Sequence, residues 1–243
     1  MGKPGVGAFE THTSGVGEKW DARYRAGDTG WDRGVVSPSF EVFQAYCRSL
    51  GWAPETEDFP KADSTQNRDG RLAVATGLGP GLLIPGCGTG YEVVAAAERG
   101  WRVIALDAAP TPLKSLQERL IHKGLSERVR LAQADLFEWS LQALGDDWAR
   151  ARLDAVYEQT CLCAIDPEQR ADYASRLHAW LRPGGVLFAC FMQVPRRGGP
   201  PYHCDLVEMR ELFDASEWRW SDPLGATPHT SGKQEWLYAL SRR

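Results

Sequence analysis

Several things are missing from this chain, and each absence removes a class of function. Its six cysteines (Cys47, Cys87, Cys161, Cys163, Cys190 and Cys204) form no C-x-x-C pair and no framework spacing. With no secretory leader at the start, they are expected to be reduced thiols in a cytoplasmic protein. No apolar run exceeds strand length, so no membrane span is expected. Met1-Gly2-Lys3-Pro4-Gly5-Val6 lacks the Ser or Thr that myristoylation requires. No basic run or basic–aromatic stripe occurs among 28 basic and 32 acidic residues, and a net charge of −4 gives no reason to expect nucleic acid as a partner. Zinc spacing, a P-loop and a Ser-His-Asp order are all absent, so no metal site is expected. No internal repeat or low-complexity segment breaks the chain.

What is present is concentrated between Leu82 and Pro110, in LLIPGCGTGYEVVAAAERGWRVIALDAAP. An apolar strand leads into the turn Gly86-Cys87-Gly88-Thr89-Gly90. A helix, a second strand and then Asp107 follow. Glycines let a backbone approach a ligand closely, and an acid closing the second strand can accept both hydroxyls of a ribose. A dinucleotide fingerprint, G-x-G-x-x-G, needs a third glycine where Tyr91 stands. A bulky ring there obstructs the approach of a diphosphate. The G-x-G-x-G spacing therefore suits an adenosyl ligand without phosphates, and S-adenosylmethionine fits. A nicotinamide-dependent oxidoreductase is the rival that this spacing opposes.

At 243 residues with 43% hydrophobic content, the chain has material for one large domain. Strands are expected at Gly81–Ile84, Trp101–Leu106, Arg128–Ala132, Leu153–Tyr157, Val186–Met192, Trp218–Trp220 and Glu235–Leu240, the last two as an antiparallel pair. Helices are expected at Ser39–Leu50, opened by Pro38, and at Glu92–Glu98, Leu113–Lys123, Pro167–Leu181 and Asp205–Phe213. Strands alternating with helices imply an α/β fold, a doubly wound and mostly parallel seven-stranded sheet. One domain is expected over 1–243: an N-terminal flap at 1–37, a cap helix and loop at 38–76, and a Rossmann-like core at 77–243. The Gly-rich first residues are expected to be mobile, the polar stretch 53–69 to be a long loop or lid, and Arg71–Thr76 a short helix.

In such a sheet the ligand lies at the carboxyl ends of the strands, near the switch point. The loops there carry the glycine turn, Asp107, then Asp135 with Leu136, then Glu158 and Gln159. Asp135 can accept from an adenine amino group or cap a turn. Glu158 faces the reacting end or is a solvated loop carboxylate. Trp20, Tyr24 and Trp31 are spaced by four and seven. That fits one face of a packed helix, yet Gly27, Gly30 and Gly34 oppose a helix. The alternative is an aromatic cap over a cationic sulfonium. Cys161 and Cys163 are expected to be buried structural thiols. His203 is a loop or capping His, or a base.

The segments GEKWDARYRAGDTGWDRGVVSPSF, LLIPGCGTGYE, VIALDAAP, LAQADLFEW, DAVYEQTCLCAIDPEQRADYASRLHAWLRPGGVL and GGPPYHC together resemble the thiopurine S-methyltransferase family, over roughly Glu18 to Phe213. The element YEQTCLCAI is similar to the thiol, halide and thiocyanate methyltransferase branch. The resemblance implies a class I methyltransferase. Trp20, Tyr24 and Trp31 would cover the cofactor, with Gly86 at the glycine-loop contact, Asp107 at the ribose and Asp135-Leu136 at the adenine. Gln159 would lie near the methionine moiety. Two residues depart from that branch: Tyr24 stands where Trp is common, and Gln159 where Tyr often stands.

These features together imply methyl transfer from S-adenosylmethionine to a small soft nucleophile such as sulfide, a thiol, a halide or thiocyanate. The expected site residues are Gly86, Cys87, Gly88, Gly90, Asp107, Asp135, Leu136, Glu158 and Gln159 with the aromatic cap. Trp31, Phe40, Phe43, Cys161, Tyr202 and His203 are the candidate acceptor walls. The alternatives are a methyltransferase for larger aromatic thiols or thiopurines, and a non-catalytic cofactor-binding protein. A monomer or weak homo-oligomer is expected. Asp107→Ala is expected to weaken cofactor binding with little effect on folding.

Overall fold

A computed structural model describes residues 15–52, 79–144, 153–195, 198–230 and 232–243. The Gly-rich start, the stretch 53–69 expected as a loop and the segment 71–76 expected as a helix lie outside the described residues.

The apolar runs become a parallel sheet because each is covered on both faces, where continuous Val, Ile and Leu is the stable composition. β1 (Gly81–Pro85), β2 (Arg102–Asp107), β3 (Val129–Gln133) and β4 (Leu153–Gln159) all run parallel, and β4 is also parallel to β5 (Leu181–Gln193). The order β3-β2-β1-β4-β5 places the switch point between β1 and β4. β8 (Gln234–Arg242) returns antiparallel along β5. Its other edge carries both β6 (Trp218–Trp220) and β7 (Gly225–Pro228). The expected strands form one continuous path. β7 is an eighth strand, too short and too rich in turn formers (Gly-Ala-Thr-Pro) to register as alternation.

Period-2 alternation sorts the strand residues into two cores. Leu83, Ile104, Leu106 and Val156 face one layer with Tyr173, Leu177 and Phe213. Leu82, Ile84, Val103, Ala105 and Tyr157 face the other with Phe40, Phe43 and Trp101. The helices are α1 (Gly15–Ala26), α2 (Pro38–Ser49), α3 (Tyr91–Glu98), α4 (Pro110–His122), α5 (Arg170–Trp180) and α6 (Leu206–Leu212). Pro38 opens α2 at a position where its missing N–H costs nothing, and the Ser37 side chain accepts from Ser39 N.

The amino-terminal stretch corrects an expectation. It is helical until Gly27, whose φ of +69° ends α1, so the glycines stop the helix rather than prevent it. Asp21 on α1 accepts from Thr111 N at 2.8 Å, at the start of α4. A Cβ on Gly17 would sit 2.7 Å from the Ala108 carbonyl oxygen. α1 is thus packed directly on the carboxyl end of β2.

Candidate functional site

The turn between β1 and α3 is made of left-handed backbone. Gly86, Gly88 and Gly90 have φ of +59°, +51° and +69°. A Cβ at Gly86 would meet the Cys161 Cβ and Sγ at 3.2 Å, and one at Gly88 would meet the Tyr24 hydroxyl at 2.5 Å. Conformation requires glycine at these two positions, and the neighbouring side chains leave little space for a Cβ. Cys87 between them is buried. Asp107 closes the turn from below. Its Oδ2 accepts from Gly88 N and its Oδ1 from Ala109 N, both at 2.8 Å. Burial pushes its carboxyl up, and the amides of Ala109, Gly88 and Ala108 pull it back.

Above this floor lies a cavity of about 580 Å³. Gly86, Asp107, Asp135 and Leu136 line it from the strand ends, and Trp20, Tyr24 and Trp31 from the cap. The dimensions suit a cofactor-sized ligand. Asp135 does what both readings require: it lines the cavity, and its Oδ1 accepts from Phe137 N at 3.0 Å.

The cap aromatics form one cluster. Trp31 stands edge-on to Trp20 at 5.4 Å and to Tyr24 at 5.7 Å. Trp31 Nε1 donates to the Tyr24 hydroxyl at 3.3 Å. Burial raises the Tyr24 pKa well above its ordinary value, so the hydroxyl stays protonated. The Arg23 guanidinium lies 4.3 Å from the Trp31 ring centre, held by Asp28 at 2.8 Å. This surface already pairs with a cation. The cap is tied to the β7–β8 hairpin, where Thr230 Oγ1 donates to the Gly30 carbonyl at 2.7 Å and the Arg33 guanidinium donates to the Pro228 carbonyl.

A second compartment, about 70 Å³, lies beside the first. Tyr24, Trp31, Gly86, Thr160 and His229 line both. Asp32, Arg33, Cys87, Gly88, Glu92, Tyr157 and Gln159 are among the other residues of the smaller one. Thr160 takes φ of +61°, a strained conformation for a β-branched residue, at the point where the two meet. Gln159 is locked into a closed ring of hydrogen bonds. Its Nε2 donates to Ser37 Oγ at 3.0 Å, and Ser37 Oγ lies 2.8 Å from Ser39 Oγ. Ser39 Oγ lies 2.7 Å from the Tyr157 hydroxyl, which donates back to Gln159 Oε1 at 2.7 Å. The other Nε2 hydrogen goes to Glu235 Oε2 at 2.6 Å.

Sequence reasoning missed Glu235. It is fully buried, and desolvation pushes its carboxyl up to about 7. The signal was available: an acid in phase with Leu237 and Ala239 on the buried side of β8.

Other expected residues lie elsewhere. Glu158 is 1% exposed and points into the core, where it accepts from Leu162 N at 2.6 Å. It shapes the loop after β4 without lining either cavity, and burial pushes it up to about 7. Phe40 and Phe43 are fully buried in contact with Tyr157, so they support the compartment from behind rather than wall it. His203 lines neither space. Its Nδ1 accepts from Val194 N at 3.1 Å, which is a capping role. Tyr202 does line the larger cavity, its amide tied to the Cys163 carbonyl at 2.6 Å. Cys161 lines it too, and Cys161 and Cys163 are both buried free thiols.

No described helix is long and apolar enough to cross a membrane. Among the described residues, no group of three or more His, Cys, Asp or Glu is placed to hold a metal.

Comparison with known proteins follows the same lines. The family model described as thiopurine S-methyltransferase matches residues 72–228. A probable thiol methyltransferase 2 of Arabidopsis thaliana is 27% identical over 195 residues, 80% of this chain and 70% of that protein. A thiocyanate methyltransferase 1 of the same plant is 30% identical over 54% of this chain, which spans 55% of it. A thiopurine S-methyltransferase of Shewanella sediminis is 26% identical over 71% of this chain and 86% of its own length. Among solved structures, the fold is similar to that of the Burkholderia thailandensis 1,6-didemethyltoxoflavin-N1-methyltransferase, with a TM-score of 0.63, 20% identity and coverage of 98% and 93% of the two chains. It is also similar to the magnesium protoporphyrin IX methyltransferase of Synechocystis PCC 6803, with a TM-score of 0.63, 12% identity and coverage of 94% and 98%. The fold is thus that of class I methyltransferases.

Proposed function

We propose, from the premise that the chain belongs to the thiopurine S-methyltransferase family, that it transfers the methyl group of S-adenosylmethionine to a small soft nucleophile: sulfide, a thiol, a halide or thiocyanate. The observation that carries this is the pairing of the two spaces. A cofactor-sized cavity shares the walls Tyr24, Trp31, Gly86, Thr160 and His229 with one too small for a fused aromatic acceptor.

The residues fit the cofactor. The glycine cradle has room only for backbone, Asp107 presents a carboxylate at the ribose position, and Asp135 with Leu136 stands where an adenine would lie. When bound, S-adenosylmethionine supplies a methyl group made electrophilic by the sulfonium. The chain's own work is placement. Trp20, Tyr24 and Trp31 offer aromatic faces to positive charge and close the site to water, which strengthens the electrostatics inside. The locked Gln159 ring and strained Thr160 fix the floor of the smaller space. An acceptor held about 3–3.5 Å from the methyl in line with the leaving sulfur then gains most of its rate from orientation.

A larger acceptor would have to use the Tyr202 end of the larger cavity, where Met192 and Ile165 also lie. That is the second reading. Turnover against iodide, thiocyanate, sulfide, methanethiol, an aromatic thiol and a thiopurine separates the two. We expect product from the small acceptors. Activity confined to the aromatic ones would move the acceptor to the Tyr202 end.

Small-molecule acceptors are thus the partners of this reading. We also propose that 1–243 works as one unit in the cytoplasm, as a monomer or weak homo-oligomer. The latch between the cap and the β7–β8 hairpin supports the first part.

A further inference from the structure

The smaller compartment has charge and hydrogen-bonding properties that choose among the small nucleophiles. Several of its side-chain donors are already spent inside the protein. Thr89 Oγ1 donates to Asp32 Oδ2 at 2.9 Å, and Thr160 Oγ1 to the Gln159 carbonyl at 2.7 Å. Both Nε2 hydrogens of Gln159 go to Ser37 and Glu235. Trp31 Nε1 goes to Tyr24, and the Tyr157 hydroxyl to Gln159.

The charges point the same way. Asp32 and Glu92 are on the wall, while Glu235 behind Gln159 holds its proton up to about pH 7 and adds little charge. Arg33 is also on the wall, with its guanidinium donating to Pro228. His229 is held neutral, its pKa lowered to about 4 by burial and by Arg33 and Lys233. An anion entering here would meet the half-buried carboxylates of Asp32 and Glu92, only partly offset by the Arg33 guanidinium, which is unfavourable where water is scarce.

We propose that the acceptor is a small thiol taken up in its protonated form, hydrogen sulfide or a short alkanethiol, that halide and thiocyanate anions are selected against, and that Glu92 receives the thiol proton. This rests on the methyl-transfer reading above. The thiol sulfur forms a bond to the methyl carbon, and the methyl–sulfonium bond breaks with its electron pair going to the departing sulfur. The S–H proton passes to the Glu92 carboxylate.

Glu92 is suited to this. Its Oε1 accepts from Ser37 N at 2.8 Å, which fixes the side chain on the compartment wall. Burial raises its pKa, so it binds a proton more readily than an exposed glutamate. The groups facing it are Asp32 and Arg33 from the cap loop, the Ser37 amide ahead of α2, the Cys87 thiol of the glycine turn, Tyr157 from β4 and Glu235 from β8.

The test measures initial rates with S-adenosylmethionine for sulfide, methanethiol, iodide and thiocyanate, in the wild type, Glu92→Gln and Asp32→Asn. The amide of Glu92→Gln keeps an acceptor for Ser37 N and removes the charge. We expect the wild type to prefer the thiols. In Glu92→Gln, methanethiol kcat/KM should fall about tenfold or more while iodide and thiocyanate improve, and the acid limb of the methanethiol pH profile should disappear. Asp32→Asn should improve the anions without removing that limb. If Glu92→Gln fails to fold, the wild-type ratio and Asp32→Asn still decide.

A wild type that prefers iodide or thiocyanate overturns the proposal. So does a thiol-to-anion ratio that neither substitution moves. Turnover of aromatic thiols alone overturns it and leaves methyl transfer standing. No turnover of any acceptor, with cofactor bound, overturns the methyl-transfer reading as well.

Discussion

The glycine turn and the compartment behind the cap meet along one wall but are built in opposite ways. The turn is local: residues 86–90 and the strand end at Leu106 and Asp107, joined by hydrogen bonds from Cys87 N to the Leu106 carbonyl and from Gly88 N to Asp107. The compartment draws on distant segments. Asp32, Arg33 and Ser37 come from the amino-terminal stretch, Glu92 from α3, Tyr157 and Gln159 from β4 with Thr160 just after it, and His229 and Glu235 from the far end of the chain. The contrast teaches that the general part of this chemistry, holding an adenosyl ligand, is written in one short run. The particular part, choosing what is methylated, depends on which remote segments the fold brings together.

The strongest test of that division is Phe43→Ala. Phe43 packs on Trp101, Tyr157 and Phe188 and is fully buried. Its truncation is expected to cost about 3–5 kcal/mol of stability in a denaturant titration. Acceptor preference should stay as it was, because Phe43 lines neither space. A changed preference with unchanged stability would return it to the acceptor wall.

Asp107→Ala comes next. Loss of a charge-assisted acceptor at the ribose should weaken cofactor binding about 100-fold, some 2–3 kcal/mol, by calorimetry. The structure adds a cost that the sequence did not suggest. The same carboxylate satisfies Gly88 N and Ala109 N, so the melting temperature should fall as well. A drop in stability without a drop in affinity would break the assignment of Asp107 to the ligand.

The buried carboxyls predict a pH dependence. Glu235 and Glu158 hold their protons up to about pH 7, against an ordinary 4.5. The folded chain therefore binds protons that the unfolded chain has already released. Their contribution is complete below pH 4.5 and is lost as pH rises toward 7. His229 works in the other direction: its contribution is present above pH 6.5 and lost as pH falls toward 4. Glu235→Gln should reduce the stability lost between pH 5 and 7 by on the order of 2 kcal/mol, read from melts across that range. An unaltered slope would show that Glu235 titrates normally.

The smallest expected effect is at the latch. Thr230→Ala removes an exposed hydrogen bond to Gly30 and should cost about 0.5–1 kcal/mol, seen as a modest rise in the KM for S-adenosylmethionine with kcat nearly unchanged. A collapse of kcat instead would make the hairpin part of the catalytic geometry.

Much of the first region was legible in the sequence, since its elements are contiguous. Strand, turn, helix and strand appear in order, each within a few residues of its structural boundary. The glycines announce positive φ, and Asp107 ends an apolar run. The second region was only partly legible. Trp20, Tyr24 and Trp31 could be named as a group, but not that α1 carries two of them. Glu158 and Gln159 are neighbours, and a strand sends neighbours to opposite faces. One therefore enters the core and the other the compartment, and composition alone does not tell which. His203 looked available as a base until Val194 N was found on its Nδ1.

The sequence by itself therefore determined the mostly parallel sheet and the glycine turn with its strand-end acid, because hydrophobic period, glycine conformation and strand-terminal acids are local properties. Tertiary structure alone decided that Gln159 is locked between Tyr157, Ser37 and Glu235, that Phe40 and Phe43 lie behind the site, and that Glu92 faces it. Those outcomes depend on β8 returning beside β5 and on the cap folding over β1. Burial and charge pairing are set by what lies across a few ångströms of space, whatever the distance along the chain.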